Sequence, residues 1–348
     1  MKSLAVSRRG EREDADNPME LSVVVPVFNG ESWIRETLDS VRLQGDDLEV
    51  IVVDDHSQDR SADVAREFLE QSGLTGRVMT TDKNQGPANA RNLGWQCAAA
   101  QWIQFLDADD LLSPGKLDVQ YANAIAAPED VAVVYSPWQH IGLFDGQWTP
   151  YGPLVEPNVD KDSISRILRD QNFGYVGPTL MRRSALEAVQ GFSAQMTIGE
   201  DLDLMLRIAM SGYRFQLVTS LEPLFFYRDT PGSLWHQSVI DSNAVLQLLL
   251  SIRSAELQLQ STNGTGISVS TKEAIARRYV ERLNVFQSRD RENFEMVLGW
   301  ISDLHLRSAP AGSGIPARLV AMTIGLSNAL RLQFAVRNAI RPLRPDRA

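Results

Sequence analysis

The chain has 348 residues and a formal net charge of -10, and 43% of its residues are hydrophobic. Binding through nucleic-acid phosphates needs a basic surface, so this acidic balance argues against a nucleic-acid partner. The one cysteine, Cys97, rules out an internal disulfide and a thiolate metal cluster. It fits a reducing compartment, so we expect a cytoplasmic protein.

Two segments lie outside the expected folded body. Residues 1–19 are polar and charged, which predicts a disordered arm without the apolar region of a signal peptide. No run of about 18 apolar residues occurs, so no membrane-spanning helix is predicted. The tail, residues 316–340, mixes apolar residues with arginines at helical spacing. Such a helix suits contact with the inner face of an anionic membrane, packing on the acidic body, or a homodimer contact.

Buried strands alternate with helices from residue 21 onward. Apolar, β-branched runs predict strands, and apolar residues at helical spacing predict helices. The strands are predicted at 21–28, 48–55, 77–81 and 102–106, with helices around 34–41, 61–71 and 86–100 between them. This alternation predicts a parallel sheet with helices on both faces.

The second half of the chain departs from that regular alternation. A stretch rich in Trp, Gly and Pro, residues 137–160, is predicted to be irregular. Around it we predict helices at 115–126 and 200–211 and strands at 131–136, 176–181 and 223–228. Beyond residue 234 only helices are predicted, at about 237–258, 270–288, 291–307 and 316–340. The expected domains are therefore 20–235 and a helical region, 236–348.

Carboxylates follow two of the predicted strands. Asp54 and Asp55 end the second strand, and Asp107, Asp109 and Asp110 follow the fourth. In parallel sheets ligands bind at the carboxyl ends of the strands. An Asp-x-Asp there suits Mg²⁺ or Mn²⁺, although a capped turn explains it equally well. The first pair either caps a helix or accepts hydrogen bonds from a nucleobase or ribose.

Three further features bear on a phosphate ligand. The chain lacks GxGxxG and P-loop motifs, so a diphosphate would need a metal and an arginine. Gly86 and Pro87 open a helix whose N-terminus favours anions, and Arg91 lies one turn further on. Glu200 and Asp201 begin another helix, where acidic residues commonly do no more than stabilise the helix dipole.

These segments together resemble the family 2 glycosyltransferases, which are inverting enzymes that use nucleotide sugars. The resemblance covers residues 20 to about 235 and implies a GT-A fold. This is an α/β architecture with a mixed, mostly parallel sheet flanked by helices, here with a C-terminal helical extension. The matching segments, in family order, are "VVVPVFNG", "VVDDHSQD", "NQGPANARNLG", "FLDADD", "MRRSALEAVQGF", "GEDLDLMLRIAMSG" and "FFYRDTPGSLW".

The resemblance also implies a nucleotide-binding site. Pro26 and Asp55 would line the nucleoside pocket, with Asp55 facing the base and Asp54 beside it. Gly86 and Arg91 would lie next to the nucleotide.

The catalytic and metal-binding residues follow from the same resemblance. Asp107 and Asp109 match the metal motif, with Asp109 as the direct ligand of Mg²⁺ or Mn²⁺ and Asp110 as its support. Asp201 matches the catalytic base, with Glu200 next to it.

Two parts of the sequence differ from the family pattern or go beyond it. Relatives often carry a histidine two residues after the Tyr-Arg of the last motif, where this chain has Thr230. Arg228 and His236 are supporting candidates, although a surface histidine is the better explanation of His236. Three aromatic residues of the irregular stretch could stack on an acceptor sugar or simply pack in the protein: Trp138, Trp148 and Tyr151.

The expected function is transfer of a sugar from a nucleoside-diphosphate sugar to an acceptor hydroxyl, with inversion and metal assistance. The acceptor would be a carbohydrate or glycolipid, such as a polysaccharide precursor. One alternative is a nucleotidyltransferase, which usually has a Gly-rich basic loop where this chain reads "PVFNGES". The other is a non-catalytic nucleotide-sugar-binding subunit, which would need no base such as Asp201.

Overall fold

The computed structural model describes residues 20–156, 163–169, 175–230, 241–262, 267–286 and 290–306. They fall into two compact units. The first contains the described residues up to 156, together with 175–195 and 211–230. The second contains 163–169, 196–210 and the described residues from 241 onward. The predicted arm, the tail and His236 lie outside the described residues.

The first unit is built on a seven-stranded, mostly parallel sheet. Its strands are β1 (Leu21–Val27), β2 (Glu49–Asp54), β3 (Thr75–Thr80), β4 (Trp102–Phe105), β6 (Val131–Tyr135), β9 (Thr179–Arg182) and β10 (Arg214–Leu217). Their order is β10-β6-β9-β4-β1-β2-β3, and β9 runs antiparallel to both of its neighbours. The central strands are fully buried, as their continuous apolar runs predict.

The strand register places the carboxyl ends of β1, β2 and β4 at one edge of this sheet. Val27 of β1 pairs with Asp54 of β2, and Val24 pairs with Phe105 of β4. The loops that follow these three strands therefore start side by side. The predicted acidic clusters belong to two of these loops.

Helices cover the faces of the sheet. They are α1 (Ile34–Arg42), α2 (Ser61–Ser72), α3 (Pro87–Cys97), α4 (Lys116–Ala126) and the short α6 (Arg183–Ala188). The apolar residues that predicted α1, namely Ile34, Leu38 and Val41, are all completely buried. On α3, Gly94 lets the helix approach β1 closely, because a Cβ there would lie 2.3 Å from Val24 Cγ1.

A second sheet in the first unit corrects the prediction of an irregular stretch at 137–160. Its strands are β5 (Leu111–Leu112), β7 (Trp138–Phe144), β8 (Gln147–Val155) and β11 (Phe225–Arg228), in the order β5-β11-β7-β8. β7 and β8 form a hairpin whose turn, Asp145–Gly146, has positive φ at both residues. Asp-Gly is a typical two-residue hairpin signal, which the glycines and prolines around it obscured.

The second unit is helical. Its described helices are α5 (Ser163–Arg169), α7 (Glu200–Met210), α8 (Ser242–Thr262), α9 (Val269–Phe286) and α10 (Arg291–Asp303). Within its core the Tyr279 hydroxyl donates a 2.8 Å hydrogen bond to the buried carboxylate of Glu256. None of the helices in the described ranges is long and apolar enough to cross a membrane.

Candidate functional site

The loops after β1 and β2 are fastened to each other by side-chain-to-backbone hydrogen bonds. The Asn29 N–H donates to Ser57 Oγ at 2.9 Å, and the Gln58 N–H donates back to Asn29 Oδ1 at 2.8 Å. The Gly30 N–H donates to Ser61 Oγ at 2.8 Å. Polar side chains thus join the two loops at the carboxyl edge of the sheet.

Asp55 organises the loop that leads into α3. Its carboxylate accepts hydrogen bonds from the N–H groups of Gln85 at 3.0 Å and Gly86 at 2.6 Å, and from Thr81 Oγ1 at 2.9 Å. A carboxylate offers about four acceptor positions, so little of this one is left for a ligand. That Asp55 faces the base therefore stays a prediction, and the structure adds a role for Asp55 in shaping the loop before α3.

Asp54 is the carboxylate with capacity to spare. It is buried, its Oδ2 accepts a long bond of 3.3 Å from the Ser57 N–H, and its Oδ1 has no hydrogen-bond partner among the described residues. A buried acceptor without a donor costs free energy, and Asp54 Oδ1 is therefore open to a hydrogen bond from a ligand. Phe28, which follows β1 at the same edge, exposes 47% of its surface, whereas Pro26 is buried inside β1.

Arg91 is buried rather than exposed on the surface of α3. Only 3% of the residue is exposed, and its Nη2 donates to Asp107 Oδ1 at 2.7 Å. The guanidinium also lies over the ring of Phe192, at 5.4 Å from the ring centre. Gly86, with φ of 87°, turns the chain into the helix ahead of Pro87. The structure therefore brings Asp107 together with Arg91, which lies on the helix that Gly86 opens.

The segment Asp107–Asp110, which we call the acidic loop, is held by α1. Thr37 Oγ1 of α1 makes hydrogen bonds to the carbonyl oxygens of Ala108, at 2.7 Å, and Asp110, at 2.9 Å. The Asp110 N–H donates to the Asp107 carbonyl at 3.0 Å, which closes a tight turn. These bonds fix the backbone from which the three carboxylates project.

The electrostatics of the acidic loop are unfavourable without a ligand. Burial, reinforced by the charge of Asp107, raises the pKa of Asp109 above its usual range. Burial and the charges of Asp109 and Asp107 raise the pKa of Asp110 well above its usual range. A divalent cation would remove both the repulsion and part of the cost of burial.

The donor set fits a cation that is only partly coordinated by protein. Within the described ranges no group of three or more His, Cys, Asp or Glu side chains is arranged to hold a metal ion. Mg²⁺ and Mn²⁺, however, take carboxylate oxygens, and Mg²⁺ commonly uses one or two and completes its shell with phosphate oxygens and water. Asp109, with Asp107 beside it, could supply that number.

Arg228, a supporting candidate from the sequence, proves to be a buried cation near the acidic loop. None of its side chain is exposed, and its Nη1 forms an ion pair with Glu36 Oε2 at 2.8 Å. The guanidinium lies 5.2 Å from the ring centre of Trp33 and 4.9 Å from that of Trp148, and the two rings meet edge to face at 5.7 Å. Sequence reasoning missed Trp33 because the contact spans nearly the whole first unit.

The three aromatic acceptor candidates have different environments. Trp138 is 1% exposed and packs against Tyr175, which fits the alternative that this residue packs within the protein. Trp148 is partly exposed beside Arg228, and Tyr151 exposes 38% of its surface on the hairpin.

Asp201 lies in the second unit, in the first turn of α7. It is partly exposed, while its neighbour Glu200 is buried at 8% exposure. Further along the helix, Arg207 donates to Asp203 at 2.8 Å, which ties down one acidic residue of this turn. The acidic loop, in contrast, belongs to the first unit.

Comparison with known proteins identifies the family that the first unit resembles. Residues 22–190 match the family model described as glycosyl transferase family 2, which confirms the resemblance predicted from the motifs. The chain is 27% identical over 220 residues to the succinoglycan biosynthesis protein ExoO of Rhizobium meliloti (strain 1021), with 62% of each protein covered. It is 27% identical over 216 residues to the minor teichoic acid biosynthesis protein GgaA of Bacillus subtilis (strain 168), covering 60% of this chain and 46% of GgaA. The chain thus spans less than two thirds of either relative.

A solved structure gives the same fold. The S. aureus TarS 1-349 crystal structure in complex with UDP-GlcNAc matches with a TM-score of 0.63 at 18% sequence identity, covering 94% of this chain and 93% of that one. The predicted GT-A-type α/β fold is therefore confirmed. The family match supports a transferase enzyme.

Proposed function

We propose that this chain moves a sugar from a nucleoside-diphosphate sugar to an acceptor hydroxyl. The premise is its match to family 2 glycosyl transferases. The observation that carries the proposal is the acidic loop. Its three carboxylates lie within four positions of one another at the carboxyl edge of the sheet, Asp110 is buried, and the pKa values of Asp109 and Asp110 are raised. Such an arrangement costs stability and becomes favourable when a cation and a diphosphate bind.

The nucleoside would bind against the loops after β1 and β2. We assign Asp54, whose Oδ1 has no partner in the described residues, as the acceptor for a nucleobase N–H. Phe28, exposed at the same edge, would stack on the base. Asp55 and Gly86 would act through the loop that they shape.

The diphosphate would lie between the acidic loop and α3. Asp109 and Asp107 would hold the cation, Mg²⁺ or Mn²⁺, which supplies charge neutralisation to the departing nucleoside diphosphate. Arg91, fixed by Asp107 and Phe192, would add a positive charge that cannot be lost by deprotonation. Both contributions act where negative charge grows in the transition state.

A neutral hydroxyl needs a base before it can attack the anomeric carbon. Asp201 is the proposed base, since a carboxylate that accepts the proton as the bond forms contributes about 10²–10⁴-fold to the rate. Glu200 would support it from the same helical turn. A single displacement on the face opposite the leaving phosphate inverts the anomeric configuration.

The proposed acceptor is a polysaccharide-type hydroxyl. Two relatives are named for succinoglycan and teichoic acid biosynthesis, which supports an acceptor of this type. Trp148 and Tyr151 remain candidates for contact with the acceptor. Cytoplasmic localisation and contact of the tail, residues 316–340, with a membrane or a second copy stay predictions.

The test is a thermal-shift screen of UDP, GDP, dTDP and CDP, each with Mn²⁺, Mg²⁺ or EDTA. A ligand that binds the native state raises the melting temperature according to its concentration and Kd. We expect a metal-dependent shift with one nucleotide that is lost in Asp109→Ala. Asp46→Ala is the matched control, because Asp46 is exposed in the turn before β2, at the opposite edge of the sheet.

The result also separates the proposal from a binding subunit. The proposal expects that the wild type shows the nucleotide-dependent shift and transfers sugar. The Asp201→Asn variant should keep the shift and lose the transfer. Full transfer in Asp201→Asn would remove Asp201 as the base. If none of the four nucleotides shifts the melting temperature, the proposed class of sugar donor is contradicted.

A further inference from the structure

The segment 228–230, at the end of β11, touches the acidic loop at two points. The Arg228 N–H donates to Asp110 Oδ1 at 2.9 Å. Two residues later, the Thr230 hydroxyl donates to Asp109 Oδ2 at 2.8 Å. Within the described residues Thr230 is the one side chain that donates a hydrogen bond to Asp109.

This segment is itself rigidly held. β11 pairs with β7, where Arg228 is opposite Ile141, and the Asp229 N–H donates to the Ile141 carbonyl at 3.0 Å. The Arg228 side chain is locked between Trp33 and Trp148. These contacts hold the backbone that leads to Thr230, from which the hydroxyl donates.

The acidic loop is also connected to β11 through β5, the strand that follows it. β5 begins immediately after Asp110, and its residues Leu111 and Leu112 pair with Phe226 and Phe225 of β11. The spacing between Asp109 and Thr230 is therefore set by strand pairing on one side and by the Arg228–Asp110 bond on the other.

A hydrogen bond to one oxygen orients a carboxylate. The last torsion of an Asp side chain is broad and roughly two-fold, so an unrestrained carboxylate samples many orientations. One bond from Thr230 narrows that range and leaves the other acceptor positions of Asp109 for a ligand. A neutral hydroxyl does this without neutralising the charge that attracts a cation.

We propose that Thr230 is a positioning residue, which orients the Asp109 carboxylate for the divalent cation from the rigid end of β11. The inference rests on the proposed function, in which Asp109 is the metal ligand. Partners that orient metal ligands typically contribute about 10–100-fold to metal affinity or activity.

The test measures Mn²⁺ binding directly, by electron paramagnetic resonance of the free ion, in the presence of UDP and separately of GDP. Thr230→Val keeps the shape and removes the hydroxyl, and we expect it to weaken Mn²⁺ binding by about 10–100-fold. Thr230→Ser keeps the hydroxyl and should bind Mn²⁺ as the wild type does. Thr75→Val, at an exposed residue that starts β3, is the matched control for the Thr-to-Val change and should leave binding unchanged.

The outcomes test the metal ligand Asp109 and the positioning residue Thr230 separately. If Asp109→Ala loses Mn²⁺ binding and Thr230→Val does not, the positioning role is refuted and the proposed metal ligand stands. If Asp109→Ala binds Mn²⁺ normally, the metal ligand is wrong and the role of Thr230 falls with it. Equal losses in Thr230→Val and Thr230→Ser would also refute the role, since the hydroxyl would not be the cause. Thr230→Ala replaces the valine variant if the latter does not fold, as judged by circular dichroism and melting temperature.

Discussion

Replacing Gly94 by Ala should destabilise the protein although alanine is the better helix former. In the middle of a helix, Ala is favoured over Gly by about 1 kcal/mol. At Gly94, however, the added Cβ would lie 2.3 Å from Val24 Cγ1 and 3.3 Å from Val53 Cγ2. Val24 is completely buried on a central strand, and its β-branched side chain has little rotational freedom.

The magnitude follows from these two opposing effects. Overpacking of a core costs about 1–3 kcal/mol, and the rigid neighbour places Gly94→Ala at the upper end. After the gain in helix propensity, the net loss is about 2 kcal/mol. For a unit of this size each kcal/mol lowers the melting temperature by about 2–4 °C, so we expect a decrease of about 4–8 °C.

Gly299 provides the matched control. It lies in the middle of α10, and nothing lies within 4 Å of the position that its Cβ would take. Gly299→Ala should therefore raise the free energy of unfolding by about 1 kcal/mol. Both variants are compared with the wild type by differential scanning calorimetry. A Gly94→Ala protein as stable as the wild type would refute the close packing of α3 on β1.

Three other changes have defined outcomes. His56 has φ of 65°, a left-handed conformation that costs a residue with a Cβ about 1–2 kcal/mol, so His56→Gly should stabilise and His56→Val destabilise the protein in urea unfolding. Lys116 is completely buried, and burial lowers its pKa well below the ordinary value, so the unfolded chain binds more protons between the lowered pKa and about 10.4. Stability should therefore rise with pH in that window by up to about 1.4 kcal/mol per pH unit. Lys116→Met should remove this slope in urea titrations at pH values just below about 10, and an unchanged slope would contradict the prediction. Arg228→Lys keeps the charge but loses planar contact with two tryptophans, so it should lower the free energy of unfolding by about 1–2 kcal/mol, whereas the same change at the exposed Arg42 should have little effect.

Much of the first unit could be predicted because its central strands are buried on both faces. Such strands are continuous apolar runs, and the carboxylates that end β2 and follow β4 stand out against them. The hairpin β7–β8 was missed because it is largely exposed. Strands alternate between polar and apolar residues when one face is buried, and this constraint is weak in an exposed hairpin.

The roles within the site were harder to predict than its location. Asp54 and Asp55 are adjacent and chemically identical, and only the fold decides that Asp55 accepts hydrogen bonds from the loop before α3 while Asp54 Oδ1 has no partner among the described residues. Arg228 and Thr230 owe their roles to contacts with residues more than 75 positions away in the chain. No local pattern records such contacts.

The acidic loop is also the place where the chain passes from one sheet to the other. Asp107 follows β4 of the large sheet, and Asp110 is followed directly by β5 of the small one. A ligand that displaces the β7–β8 hairpin or β11 would therefore also displace the acidic loop, whose four residues would contact the sugar donor. Linkage makes this effect mutual: if occupancy of the small sheet changes donor affinity, donor binding changes affinity at the small sheet by the same factor.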